Sequence, residues 1–143
     1  MGRSITFYNG EKVDGLGIFD FETRGGPISD RINDFFVGPF EGFEVIGWKS
    51  QFNQAFGDNS GCFFSEATRG MGINRSTKLE GFRRKNLIAT WVLGPMLPFN
   101  PDFVRWMLDA AGATDAQVAF EDVARSSFAR RHGEMLDPRR KAS

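Results

Sequence analysis

The sequence predicts a mixed α/β domain, with strands and turns over most of its length and helices near its end. Sixteen phenylalanines and 17 glycines against one tyrosine are typical of short strands with an aromatic core and tight turns. The pair Asn9-Gly10, between segments of β-forming residues, is a strong β-hairpin signal. Beyond residue 100, apolar residues recur at helical spacing instead.

Composition limits the class of protein. The chain has 143 residues, which fits one domain with a real core. Its 18 basic and 18 acidic side chains balance, which argues against a nucleic-acid-binding or membrane-surface protein. No apolar run reaches the roughly 18 residues of a membrane span. The start "MGRSITFYNGEK" has no signal-peptide pattern, and one cysteine fits a reducing compartment, so we expect a cytoplasmic protein without membrane insertion.

The first part of the chain is predicted to be rich in strands. Residues 3–23 are expected to form a strand, a turn and a strand, and residues 24–34, "RGGPISDRIND", a surface loop. Three aromatic β segments follow, up to Phe64. A glycine loop then precedes residues 86–94, "NLIATWVLG", which we predict as one buried strand. Leu93 ends this strand, directly before a Gly-Pro turn.

Two helices are predicted near the end of the chain. Asn100 followed by Pro101 is a good helix start, because it combines an N-cap residue with proline at the first helical position. Gly112 is expected to end this helix. Thr114 and Gln117 have capping-box spacing, which predicts the start of a second helix.

The residues that usually carry catalysis are scarce. Cys62 begins an apolar β segment without a histidine or helix start nearby to activate it, which favours a buried structural thiol. His132, the only histidine, falls where the last helix frays, and a solvated capping role is favoured there. One histidine and one cysteine cannot form a usual zinc site. We therefore expect no metal and no cofactor.

Short glycine and basic motifs have ordinary structural explanations. "GLG" at 15–17 and "RGMG" at 69–72 lack the spacing of phosphate-binding loops and are interpreted as turns. "RRK" occurs at 83–85 and at 139–141, and with zero net charge both runs are interpreted as solvated faces. Residue chemistry alone gives no complete catalytic set.

Four segments in order resemble the C-terminal half of class I glutamine amidotransferases of the CobB/CobQ type. "NGEKVDGLGIFDFET" at 9–23 is similar to "GE.I.GLGLLD..T", and "DRIND" at 30–34 to the arginine loop that follows it. "GFEVIGWKSQFNQAFG" at 42–57 matches the place of "GFENH.G.T". "EGFRRKNLIATWVLGPMLPFNP" at 80–101 resembles "EG....N.IGTYLHGPLLPKNP". Within the family, the match is best to the small subunits of lipid II isoglutaminyl synthases.

The resemblance implies a fold and its boundaries. It implies that residues 1–112 are the C-terminal part of a flavodoxin-like amidotransferase domain. The whole chain is expected to have a β-hairpin region and two C-terminal helices. We divide the remainder into a C-terminal helix at 113–131 and a disordered tail at 132–143. Such a part would leave a sheet edge uncovered, which favours pairing with another chain or another copy.

The resemblance also identifies site positions. In this family a cysteine at a strand-to-helix elbow attacks the glutamine amide, a histidine is its base, and ammonia passes to a synthetase. The histidine of "YLHGP" is replaced by Leu93 in "WVLGP", so we expect no catalytic residue there. The elbow, "CGGYQ" in the family, is expected upstream of Met1, and Cys62 is in the wrong segment to replace it. Arg31 matches an arginine associated with glutamine binding, with a plain surface arginine as the alternative.

Three functions are therefore open. The first is a catalytically degenerate amidotransferase-like protein that associates with a Mur-ligase-type amide synthetase, in cell-wall precursor or cobyrinate-type amidation. The second is one half of a split active amidotransferase, completed by a complementary N-terminal half. The third is an aromatic β module that binds sugar or single-stranded nucleic acid, which zero net charge disfavours.

Overall fold

The computed structural model describes residues 1–142. Within them, eleven short strands form four small sheets, and three α-helices follow. The strands are β1 (Ser4–Thr6), β2 (Lys12–Asp14), β3 (Glu22–Gly25), β4 (Ile32–Phe40), β5 (Phe43–Gln51), β6 (Asn53–Phe56), β7 (Ser65–Glu66), β8 (Leu79–Glu80), β9 (Phe82–Arg84), β10 (Leu87–Ala89) and β11 (Val92–Leu93). The helices are α1 (Met96–Phe99), α2 (Pro101–Ala110) and α3 (Glu121–Leu136), and a 3₁₀ turn spans Ile28–Asp30. The mixed α/β class is thus confirmed.

The first sheet has the strand order β2-β1-β3-β6. The predicted hairpin is confirmed, because β1 and β2 pair antiparallel around Asn9-Gly10. Gly10 has a φ of 87°, a conformation that glycine adopts at no steric cost, and Asn9 Oδ1 accepts a bond from the Glu11 N–H at 3.0 Å. β1 and β3 run parallel, and β3 and β6 antiparallel.

The central sheet, β11-β5-β4, is antiparallel and has two distinct faces. Alternate residues of β5 point to opposite sides. The face that includes Val45, Gly47 and Lys49 is buried, and we call it the inner face. The opposite face, which includes Ile46 and Trp48, is called the outer face. The last two turns of α3 cover one end of the outer face.

Aromatic side chains fill the interior, as predicted. Phe21 and Phe82 stack with their ring centroids 4.2 Å apart. In a second cluster, the ring of Phe40 packs at 4.9 Å from that of Phe64 and 5.5 Å from that of Phe103. Such pairs favour stacked or edge-to-face geometry. In the described part of the chain, no helix is long and apolar enough to cross a membrane.

The segment predicted as one buried strand at 86–94 is two strands in different sheets. β10 pairs with β9, whereas β11 pairs with β5. Between them, the Trp91 N–H and the Thr90 hydroxyl bond to the carboxylate of Glu80. The apolar run is therefore interrupted because the chain changes sheets within it. The prediction of a buried end was also wrong, since Leu93 is exposed.

The predicted surface loop at 24–34 is shorter than expected. β3 continues to Gly25, and β4 begins at Ile32, which is buried. The polar residues that follow Ile32 suggested a loop, but they alternate along a strand with one half-exposed face. Arg31 lies just before β4 and is exposed.

The C-terminal region partly follows the prediction. α2 begins at Pro101, and Gly112, with a φ of 78°, follows its end, as expected. The second helix begins at Glu121 and not at Thr114. Its N-cap, Phe120, has a φ of 57°, which a helix cannot pass through.

The boundary predicted at residue 132 between the helix and the tail 132–143 falls inside α3. Residues 132–136 continue α3, and Met135 is buried against Val37 and Ile46. The Arg69 guanidinium donates to the carbonyl oxygens of Met135, Asp137 and Arg140. Polar composition suggested disorder, but these contacts hold the segment. Ser143 lies outside the described residues.

Candidate functional site

The candidate site lies where β11 ends on the outer face of the central sheet. Leu93 pairs with Trp48 of β5, so the two side chains lie on the same face. Leu93 is 47% exposed. Trp48 packs edge-on against Phe35 of β4, with ring centroids 5.7 Å apart. Position 93 is therefore open and lies beside aromatic side chains, and leucine itself cannot accept a proton.

Arg31 lies on the same face, near the C-terminal end of β5, close to the residue that pairs with Leu93. Its Nε and one terminal nitrogen donate to Ser50 Oγ at 2.9 and 2.6 Å. The guanidinium also lies 4.9 Å from the ring centroid of Phe52. Ser50 is two residues from Trp48, which corresponds to about 7 Å along a strand. Arg31 and Leu93 thus lie on one face, separated by this distance along β5. The Arg31 guanidinium is accessible to solvent.

A buried ion pair lies behind β11, on the inner face. Lys49 Nζ bonds to Glu80 Oε2, and both side chains have zero exposure. Lys49 Nζ also donates to the carbonyl oxygens of Gly72, at 2.6 Å, and Met71, at 3.2 Å. Burial lowers the pKa of Lys49, and the attraction of the Glu80 carboxylate opposes this shift. The lysine is held by three acceptors, as a buried cation must be.

The second oxygen of Glu80 holds the chain just before β11. Oε1 accepts bonds from the Thr90 hydroxyl at 2.9 Å and from the Trp91 N–H at 2.8 Å. Thr90 Oγ1 in turn accepts a bond from the Val92 N–H at 3.0 Å. One carboxylate therefore links β5, β8 and the entrance of β11.

Beyond Leu93, the side chain of Asn100 takes the place of β11 as the hydrogen-bonding partner of β5. The chain turns away at Gly94-Pro95, which would leave the free edge of β5 unpaired at Ile46. The amide of Asn100 accepts a bond from the Ile46 N–H at 2.7 Å and donates to the Ile46 carbonyl at 2.8 Å. It also donates to the Met96 carbonyl at 2.7 Å. Asn100 therefore occupies the N-cap position of α2, as predicted, but its side chain makes no capping bond and instead joins α1 and α2 to β5.

The lone histidine is not placed to act at position 93. His132 stacks on Phe128 in α3, with ring centroids 5.5 Å apart, and its Nε2 lies 2.5 Å from Glu44 Oε2 without hydrogen-bond geometry. Glu44 is four residues from Trp48, about 13 Å along the strand. His132 thus sits at the far end of the outer face from Leu93.

The cysteine is not part of the site either. Cys62 is half-buried and packs against the aromatic cluster of Phe19, Phe21 and Phe82. Its carbonyl accepts a bond from the Arg83 N–H at 2.5 Å. Among residues 1–142 there is no group of three histidine, cysteine or acidic side chains that could hold a metal ion.

The Lys49–Glu80 pair was not predicted from the sequence. A signal was present, because Lys49 occupies an inward position in the alternation of β5, between Gly47 and Gln51. A lysine at such a position needs an anionic partner. The identity of that partner could not be read, since Glu80 lies 31 residues away.

One of two comparisons with known proteins finds a similar protein. No protein-family model matches the chain. Over 112 residues the chain is 29% identical to "Lipid II isoglutaminyl synthase (glutamine-hydrolyzing) subunit GatD" of Staphylococcus aureus (strain N315). The match covers 78% of this chain but 44% of that protein, so the chain spans less than half the length of the curated relative. The chain is thus similar to a glutamine amidotransferase subunit, as the quoted segments indicated.

Proposed function

We propose that this chain is an amidotransferase-like domain that lacks the catalytic base of its relatives and acts by associating with a Mur-ligase-type amide synthetase. The observation that carries the proposal is Leu93. The strand, the Gly-Pro turn and Asn100 of the family motif are all present in the fold. Together they place residue 93 on an open face. A leucine there cannot accept a proton. A positioned general base contributes on the order of 10²–10⁴-fold to a rate.

The fold supports the same proposal. We propose that the sheets correspond to the C-terminal part of a flavodoxin-like domain, and the parallel pairing of β1 with β3 is consistent with it. Arg31 is proposed to bind a carboxylate such as that of glutamine, because its guanidinium is exposed on the face that carries Leu93. The cytoplasm is the proposed location, since an unpaired cysteine fits a reducing compartment.

Exposed apolar side chains support a protein partner. Tyr8, Leu16 and Ile28 are 72, 79 and 82% exposed. Side chains this open are available for contact with a partner chain. We propose that the complex amidates a cell-wall precursor, because the similar protein is named as a subunit of lipid II isoglutaminyl synthase.

Glutamine hydrolysis tests the degenerate role. The purified chain should release no ammonia from glutamine beyond the level of a protein-free blank. Release that survives Cys62→Ala would overturn the loss of activity. Co-purification with a Mur-ligase-type synthetase co-expressed from the same organism tests the partner, and failure to co-elute in size-exclusion chromatography would remove it.

One observation favours a second candidate, a split amidotransferase. All three residues of β2, Lys12–Asp14, are exposed, and β2 is an edge strand paired only with β1. Such an edge can accept a strand from a complementary chain. The two candidates separate when the chain is mixed with a polypeptide that ends in a "CGGYQ"-like elbow. A split enzyme predicts activity with Leu93 in place, whereas degeneracy predicts activity only with Leu93→His.

A further inference from the structure

The strand that carries Leu93 is too short to fix its own position on the sheet. β11 has two residues, Val92 and Leu93, which pair with Lys49 and Trp48. Because side chains alternate between faces, a slip of one residue along β5 would turn Leu93 inward and Val92 outward. The pairing therefore needs a determinant outside the strand.

Such a determinant lies directly before the strand. Glu80 Oε1 accepts the N–H of Trp91 at 2.8 Å, at the point where the chain has left one sheet and not yet joined the next. It also accepts the Thr90 hydroxyl, which itself accepts the Val92 N–H at 3.0 Å. A slip would bring a different N–H to the carboxylate and break these bonds together.

The carboxylate is itself fixed by the residue that faces Val92. Lys49 is the partner of Val92 in the register, and its ammonium binds Glu80 Oε2 and the carbonyls of Met71 and Gly72. Both side chains of the pair have zero exposure, so their geometry is set by packing on all sides. The contacts therefore form a closed network. Lys49, opposite Val92, anchors the Glu80 carboxylate, and this carboxylate anchors Trp91, the residue before Val92.

We infer that Lys49 and Glu80 are positioning residues that fix the register of β11 and so present position 93 on the outer face. Gly47 contributes room, since a side-chain carbon on Gly47 would lie 2.4 Å from Val92 Cγ1. That position 93 is the degenerate base site rests on the proposed function. The register itself does not, and its test uses no glutamine.

The reaction rate of a cysteine thiol at positions 92 and 93 reports which of the two side chains faces outward. In a Cys62→Ser background, Val92→Cys and Leu93→Cys are made separately and treated with N-ethylmaleimide, and the rates are followed by mass spectrometry. Val92 is 5% and Leu93 47% exposed. The thiol at position 93 should therefore react about ten times faster than the thiol at 92.

Two double variants then separate positioning from mere stability. Lys49→Met with Glu80→Leu removes the carboxylate, and the two rates should converge to within about threefold because 92 becomes more reactive and 93 less. Lys49→Met with Glu80→Gln keeps an acceptor oxygen for Trp91 but removes the ammonium that fixes it, so its ratio should lie between those of the leucine variant and the parent chain. An unchanged ratio in the leucine variant, or an equal rise at both positions, would overturn the inference.

Thr90→Val provides a milder test that does not depend on the folding of the double variants. It removes one bond to Glu80 and leaves the ion pair in place. The ratio of the two rates should fall by about twofold, the lower end of the effect of one hydrogen bond. A ratio equal to that of the parent chain would count against the inference. Glutamine hydrolysis, measured separately, has no bearing on either result.

Discussion

Val92 and Leu93 are neighbours in the chain, yet they lie on two very different faces of one sheet. Val92 is buried beside Phe36 and Ala67, above an ion pair in which both side chains are fully hydrogen-bonded. Leu93 lies beside Trp48 on the outer face and is exposed to solvent. The difference shows that one strand end can be held by a buried hydrogen-bond network while its next residue lies open on the opposite face.

Ion pairs show the same contrast between the interior and the surface. Lys49 and Glu80 are wholly desolvated, whereas Arg125 bonds to Asp102 and Glu121 on a solvated helix surface. Exposed pairs contribute about 0–1 kcal/mol. A buried pair adds little net stability as a whole, but the loss of one partner leaves an uncompensated charge. The inner face is thus intolerant of single changes for electrostatic reasons.

The largest effect is expected from breaking the inner face. Lys49→Met leaves the Glu80 carboxylate buried without its cation, and the free energy of unfolding should fall by about 3–5 kcal/mol. Urea denaturation followed by tryptophan fluorescence measures this change. A loss as small as that of a surface substitution would show that the pair is not buried in solution.

The control for this prediction is the charge-neutral pair. Lys49→Met combined with Glu80→Gln removes both charges and retains an acceptor for the Trp91 N–H, so it should recover at least half of the lost stability. If the double variant is as unstable as the single one, the loss comes from packing and not from the unpaired charge.

A smaller effect is expected when one substitution is placed on each face. Val92→Thr introduces a hydroxyl among the apolar neighbours Phe36 and Ala67 at nearly constant volume and should cost about 1–3 kcal/mol. Leu93→Thr, on the outer face, should stay within about 0.5 kcal/mol of the parent chain. Thermal unfolding of the two variants side by side measures the difference. Equal costs would mean that the two positions share one environment.

Much of the fold was predictable because local signals and tertiary structure agree. Asn9-Gly10 demands a turn by its conformational preference alone, and Pro101 and Gly112 mark the ends of α2 in the same way. Position 93 was selected by its place in the quoted motif, and its role stays a prediction. These signals lie within a few residues of the feature they predict.

The remainder depended on contacts between distant residues. The split of the strand before Leu93 follows from Glu80, and the order of the last residues follows from Arg69. Asn100 was predicted as a helix cap but bonds to Ile46, 54 residues away. Local propensity could not reveal these partners, because each was chosen by the packing of separate segments.

The smallest effect is expected at the solvated ion pairs of α3, which contribute least to stability. The hydrogen bond from Arg125 lowers the pKa of Glu121 below its ordinary 4.5, helped by the charges of Arg125 and Arg105. A carboxyl group with a lowered pKa stabilises the fold above its unfolded pKa and loses that contribution as pH falls through the folded value. The melting temperature should therefore fall as pH drops below 4.5. In Glu121→Gln this fall should be shallower, and Ser126→Ala, on the same helix, should follow the parent curve. Equal slopes in all three would mean that surface pairs contribute nothing measurable, which would widen the contrast with the buried pair.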